Sequence, residues 1–150
     1  MKNYIWRHTS LQVTNLPVKV QKFINVMNLD VSKLHFILLK ADPNGEYREK
    51  FYTGGGLQGL YIKHANIVYF FEHILVGVAI HELMHYYLNQ IDCDTKTISE
   101  NFIKQYGHYA LTNYAGCSVL EKEWDEVVCE IVATYGRRGQ FNKIKELLNL

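Results

Sequence analysis

An excess of charge of either sign is missing from this 150-residue chain: sixteen Lys and Arg stand against fifteen Asp and Glu, a formal balance of +1. Proteins that hold nucleic acid or an anionic membrane carry a surplus of positive charge, so neither partner is expected. Paired cysteines are missing as well. Cys93, Cys117 and Cys129 are odd in number and lack the close CxxC spacing of zinc ribbons and redox motifs, which predicts free thiols in a reducing compartment. The opening residues, Met1-Lys2-Asn3-Tyr4-Ile5-Trp6-Arg7-His8, contain no apolar core followed by a small-residue cleavage site, and the expected location is cytoplasmic. The longest apolar run, Ile74 to Ile80, falls far short of the roughly twenty residues that span a bilayer. No repeat, low-complexity tract or linker interrupts the chain.

What the chain does have is apolar material, 48% of its residues. A length of this order buries about two-thirds of the unfolded surface, so residues 1–150 are read as one domain, and as a monomer. Tyr4 to Thr14, with alternating and β-branched residues, reads as a first strand. Asn15-Leu16-Pro17 offers an N-cap and a proline suited to a first helical turn, opening a helix to about Met27. Leu34 to Leu39 reads as a second strand. Asp42-Pro43-Asn44-Gly45 signals a turn and Gly54-Gly55-Gly56 a loop. Gly59 to Lys63 and Asn66 to Phe71 then form a hairpin around His64-Ala65.

The pattern changes at Glu72. As far as Asn89 there is no proline, a single glycine, and apolar residues on nearly every face, which predicts a helix buried on most sides. Asp92 to Thr97 reads as a polar loop, and Ser99 to Tyr106 as a helix capped by Ser99. Leu120, Trp124, Val127, Val128, Ile131, Val132 and Tyr135 recur at helical spacing and define an amphipathic helix ending near Gly136. Gly139 separates it from a last helix, Phe141 to Leu148. Strands first and helices later predict an α+β domain.

Inside the buried helix lies His81-Glu82-Leu83-Met84-His85. A spacing of four residues puts the two imidazoles on one helical face, a turn apart, where they can grip a single ion. Glu82 stands beside them. In a metallopeptidase a glutamate so placed takes a proton from a water whose pKa the ion lowers to about 7, and passes it to the leaving amine. Imidazole and carboxylate ligands at a tetrahedral site suit zinc.

Two histidines do not complete a zinc site. Ile91 occupies the position where metzincins carry their third histidine, which excludes that class. The helix around Trp124 supplies Glu123, Glu126 and Glu130 on one flank, clear of its apolar stripe. Gly107-His108 offers a competing ligand of the kind SprT-like proteases use. His73 precedes His81 by eight residues and points about 80° away on a helical wheel, a poor direction for a ligand.

His81-Glu82-Leu83-Met84-His85, followed about forty residues later by Glu126-Val127-Val128-Cys129-Glu130, resembles the gluzincin arrangement, in particular the catalytic domain of the anthrax lethal factor and Pro-Pro endopeptidase group. The likeness covers roughly the second half of the chain. It implies that Glu126 is the third ligand, that Glu130 orients a ligand histidine, and that Tyr114 polarises the substrate carbonyl or stabilises the oxyanion. Tyr114 lies twelve residues before Glu126, a longer gap than in that family. Glu121 has about the family spacing from Tyr114 but a helical angle that turns it away. The motif is also similar to that of intracellular peptidases that cleave repressors, and of minimal gluzincins inhibited by a terminal segment, a part that Arg137, Arg138, Lys143 and Lys145 would suit.

The expectation is therefore an α+β, zincin-like domain, with an N-terminal mixed sheet, a buried metal helix and a C-terminal glutamate helix. It holds one Zn²⁺ per chain on His81, His85 and Glu126, with Glu123, Glu121, Glu130 and His108 as competitors for the third position. It hydrolyses peptide bonds in a protein or peptide substrate with Glu82 as general base. By the same likeness, Asn66 to Phe71 is the edge strand on which an extended substrate pairs. The alternatives are a metal-stabilised binding module without turnover, an SprT-like protease using His108, and a metal hydrolase acting on bonds other than peptides.

Overall fold

The computed structural model describes residues 8–41, 58–108, 110 and 123–150. Four strands and five α-helices occur among them: β1 (His8–Gln12), α1 (Val18–Val26), β2 (His35–Ala41), β3 (Gly59–Ile62), β4 (Ile67–Phe71), α2 (Val76–Gln90), α3 (Thr95–Tyr106), α4 (Trp124–Arg137) and α5 (Phe141–Leu148). The class is α+β with a small mixed sheet, ordered β1-β2-β4-β3. β2 runs antiparallel to β1 and parallel to β4, and β4 runs antiparallel to β3. No helix among the described residues is long and apolar enough to cross a membrane.

Strand alternation sets the core. Val68 and Phe70 of β4 are fully buried, while Ile67, Tyr69 and Phe71 are only half-buried on the opposite face, as a period of two requires. Phe36 of β2 stacks on Phe70 with ring centroids 6.3 Å apart. One continuous core joins this face to Val20 and Phe23 of α1, Ala79, Ile80, Leu83 and Met84 of α2, Val127, Val128, Ile131 and Val132 of α4, and Ile144 of α5. Each large side chain fully buried here contributes about 1.5–3 kcal/mol.

Two glycines set how closely the layers approach. A Cβ on Gly136 of α4 would collide with Cδ1 of Ile80 on α2, so the absent side chain lets the two helices cross in contact. A Cβ on Gly59 of β3 would come within 2.5 Å of Val78 Cγ1 on α2. Helix α2 is thereby held between β3 and α4.

Several boundaries differ from the expectation. Helix α1 starts at Val18 with Pro17 itself at the cap, where the Pro17 carbonyl accepts from Val20 and Gln21 N–H; Asn15 does not cap it. Residues 72–75 precede α2 instead of belonging to it, because Glu72 takes a left-handed φ of 67°. His73 is accordingly outside the helix and exposed. Helix α3 starts four residues earlier than expected, with Asp94 as the cap, and Ser99 is buried within it, donating its hydroxyl to the Thr95 carbonyl. The hairpin is present, its turn a 3-10 segment over Lys63–Ala65 closed by left-handed Asn66. Its strand Asn66 to Phe71, expected at the edge, lies inside the sheet, and among the described residues β3 holds the edge beside α2. The turn at Asp42 and the Gly54-Gly55-Gly56 loop lie outside the described residues.

Candidate metal centre

His81 and His85 project from the middle of α2, and their Nε2 atoms are 3.1 Å apart. From α4, Glu126 brings Oε2 to 3.2 Å from His81 Nε2 and Oε1 to 2.5 Å from His85 Nε2. Two imidazole nitrogens and a carboxylate thus converge, with one ligand atom from each of the three residues inside a span of 4.8 Å. Atoms bound about 2.0–2.1 Å from a tetrahedral zinc ion stand about 3.3 Å apart, close to two of these separations. Lone pairs facing one another at such distances repel unless a proton or a cation lies between them. The group could therefore hold a metal ion.

The surroundings fit the same ion. His81 Nδ1 lies 2.7 Å from Glu130 Oε1, one turn along α4 from Glu126. The approach does not meet the geometry of a full hydrogen bond, so it stands as a close electrostatic contact. A proton held on Nδ1 leaves Nε2 free as the ligand atom, the usual division of labour in a metal-bound histidine. Burial pushes the His81 pKa down, but the contact with Glu130 and the charges of Glu130, Glu126 and Glu82 outweigh it and leave it raised. Three carboxylates around two imidazoles form a negative environment that a divalent cation balances.

Glu82 points to the other side, toward the sheet edge. Its Oε2 accepts the main-chain N–H of Tyr61 at 3.0 Å. Burial raises its pKa most, Glu126 adds to the rise, and His81, His85 and the Tyr61 N–H oppose it, with a net upward shift. A raised carboxyl is what proton transfer near neutral pH needs. His81, Glu82, His85 and Glu126 line one cleft of about 600 Å³, walled by Gly59, Leu60 and Tyr61 of the edge strand and by Leu88, Asn89 and Asp125.

The other candidates are placed elsewhere. Glu123 is an exposed residue at the N-cap of α4 without a side-chain capping bond. His108 is exposed just beyond α3 and does not join the convergent group. Tyr114 and Glu121 lie outside the described residues, as does Cys117; Cys93 and Cys129 are free thiols.

Sequence reasoning missed Tyr61 and Asn89. Asn89 carried a usable signal, since it extends the 81, 85 series by another turn and meets Tyr61 Oη at 3.4 Å. Tyr61 carried none, because its contribution is a main-chain donor that every residue except proline possesses. No family model, curated protein or solved structure matches this chain.

Proposed function

We propose that this chain is a zinc-dependent endopeptidase of the gluzincin type, with a zincin-like fold. The observation that carries the reading is the convergence of His81, His85 and Glu126 from two packed helices, with Glu82 in the same cleft. His81 Nε2, His85 Nε2 and a Glu126 oxygen would hold the ion, and Glu130 orients His81. Zinc, when bound, supplies Lewis acidity that brings the pKa of a water to about 7 and polarises a carbonyl.

The chain's own groups account for the remainder. Glu82 receives the proton of the attacking water and delivers it to the leaving amine, a role for which its half-buried carboxylate lies in the same cleft as the proposed ligands. The scissile peptide lies along β3, the strand at the sheet edge beside the cleft, where main-chain pairing gives affinity with little sequence preference. Tyr114 is the candidate for carbonyl polarisation, by the gluzincin resemblance alone.

Elemental analysis of purified protein, paired with peptide hydrolysis by wild type and Glu82→Gln, tests this reading. One zinc per chain is expected in both proteins, with hydrolysis only in the wild type. Metal-free native protein would remove the proposal. Zinc in both with hydrolysis in neither would leave a metal-stabilised binding module in its place.

A further inference from the structure

We propose that the main-chain N–H of Tyr61 is the positioning group for Glu82, and that Gly59 is the residue that admits it. The proposal rests on the peptidase reading only for its kinetic consequence. Its physical basis is the ladder of the edge hairpin. Phe71 N–H donates to the Gln58 carbonyl at 3.1 Å, and the register then sets Gly59 opposite Phe70, Leu60 opposite Tyr69, and Tyr61 opposite Val68. In an antiparallel pair the bonded positions alternate, so Leu60 and Ile62 point their main-chain groups into the ladder while Gly59 and Tyr61 point theirs outward.

An outward N–H on an edge strand ordinarily faces water. Here the Tyr61 N–H faces helix α2 and donates to Glu82 Oε2 at 3.0 Å. A hydrogen bond to an ionised carboxylate is among the stronger kinds, and it fixes one oxygen of a side chain that otherwise rotates about three bonds. The other oxygen, Oε1, is left for the proton. The contact needs the strand to lie unusually near the helix. At Gly59 a Cβ would come within 2.5 Å of Val78 Cγ1 and 3.5 Å of Glu82 Cγ, so a larger residue there must either displace the Val78 side chain or move β3 away from the base. Glu82 is thus held by the backbone of the strand beside which the substrate is proposed to lie, no side chain has to be supplied for it, and a substrate pairing with β3 must use main-chain groups other than the Tyr61 N–H.

Amide exchange followed by NMR on the full zinc-loaded chain tests the contact without reference to activity. The Tyr61 amide should be protected in the wild type and should lose at least about tenfold of that protection in Glu82→Ala. The Leu60 and Ile62 amides, which belong to the ladder, should keep theirs and so report that the strand is intact. Unchanged Tyr61 exchange in Glu82→Ala would overturn the proposal. The positioning role is read from a pair of variants, Tyr61→Ala and Tyr61→Pro, which both lose the ring while only the second loses the N–H. Proline is tolerated at outward positions of edge strands because no ladder bond is removed. At equal zinc content, kcat should be about tenfold or more lower in Tyr61→Pro than in Tyr61→Ala, with KM little different. Equal kcat in the two would show that the N–H does not position the base. If the wild type hydrolyses no peptide, the peptidase reading fails, and the exchange measurement still decides whether Tyr61 holds Glu82.

Discussion

Glu130 Oε1 stands 2.7 Å from His81 Nδ1, on the side of the imidazole opposite the nitrogen that faces Glu126. The two glutamates sit one turn apart on α4 and thus reach the two nitrogens of one ring. This division separates their expected effects. On the proposed ligand set, Glu126→Ala leaves two of three protein ligands, so zinc affinity should fall severely. Glu130→Ala should cost the ten- to hundredfold typical of losing a group that orients a ligand histidine. His108→Ala, at an exposed residue away from the cluster, should bind zinc like the wild type. Competitive chelator titration ranks the three, and loss of zinc in His108→Ala with retention in Glu126→Ala would transfer the third position to His108.

The site exists only because α2 and α4 touch. Gly136→Ala inserts a methyl where Ile80 Cδ1 already lies, and overpacking of this kind destabilises by about 1–3 kcal/mol. Ile80→Val removes that Cδ1 and alone costs about 0.5–1.5 kcal/mol. The double variant should be more stable than the sum of the single losses, since the second change makes room for the first. Urea denaturation of the four proteins measures the coupling, and strict additivity would show that the helices do not meet at this point.

Helices α2 and α4 were legible because their signals are periodic. His81 and His85 share a face by spacing alone, and Glu126 and Glu130 repeat that spacing clear of the α4 apolar stripe. What periodicity could not convey was pairing between segments distant in sequence. Asn66 to Phe71 reads as a strand in either position, and only the parallel pairing of His35 with Ile67 and Leu39 with Phe71 puts β2 beside it and moves the edge to β3. The start of α2 was obscured because Glu72 to Leu75 are compatible with a helix locally, and the break is a left-handed φ at a glutamate. Helix α3 was shortened because Asp94 and Ser99 are both good capping residues, and burial of Ser99 against the core decides between them.

Asp94 should therefore be the residue on which the start of α3 depends. Its Oδ1 accepts the Thr97 N–H at 3.1 Å and its Oδ2 the Thr97 hydroxyl at 2.7 Å. These bonds favour the ionised form and hold its pKa below the ordinary carboxylate value. A depressed carboxyl adds stability above its unfolded pKa and loses it as pH falls through the lower folded value. Asp94→Ala should lower the melting temperature at neutral pH and flatten the acid side of the stability profile, whereas Ser99→Ala should leave the Thr97 amide protected. Equal acid profiles for Asp94→Ala and wild type would remove the cap.

Cys129 gives the opposite sign at the alkaline end. It is fully buried on α4 between Val128 and Glu130, and burial first, then the charges of Glu126, Asp125, Glu82 and Glu130, push its thiol far above the ordinary range. A raised acid group contributes stability that is complete below its unfolded pKa and declines as pH climbs beyond that value. Above about pH 8.5 the unfolded thiol ionises while the folded one does not, so stability should fall by up to about 1.4 kcal/mol per pH unit from this group alone. Cys129→Ala should remove that component while adding a small cavity loss that does not vary with pH. In native protein a thiol reagent should modify the half-buried Cys93 well before Cys129, which should react only on unfolding. Rapid native labelling of Cys129, identified by peptide mapping, would contradict the packing of α4 against α2.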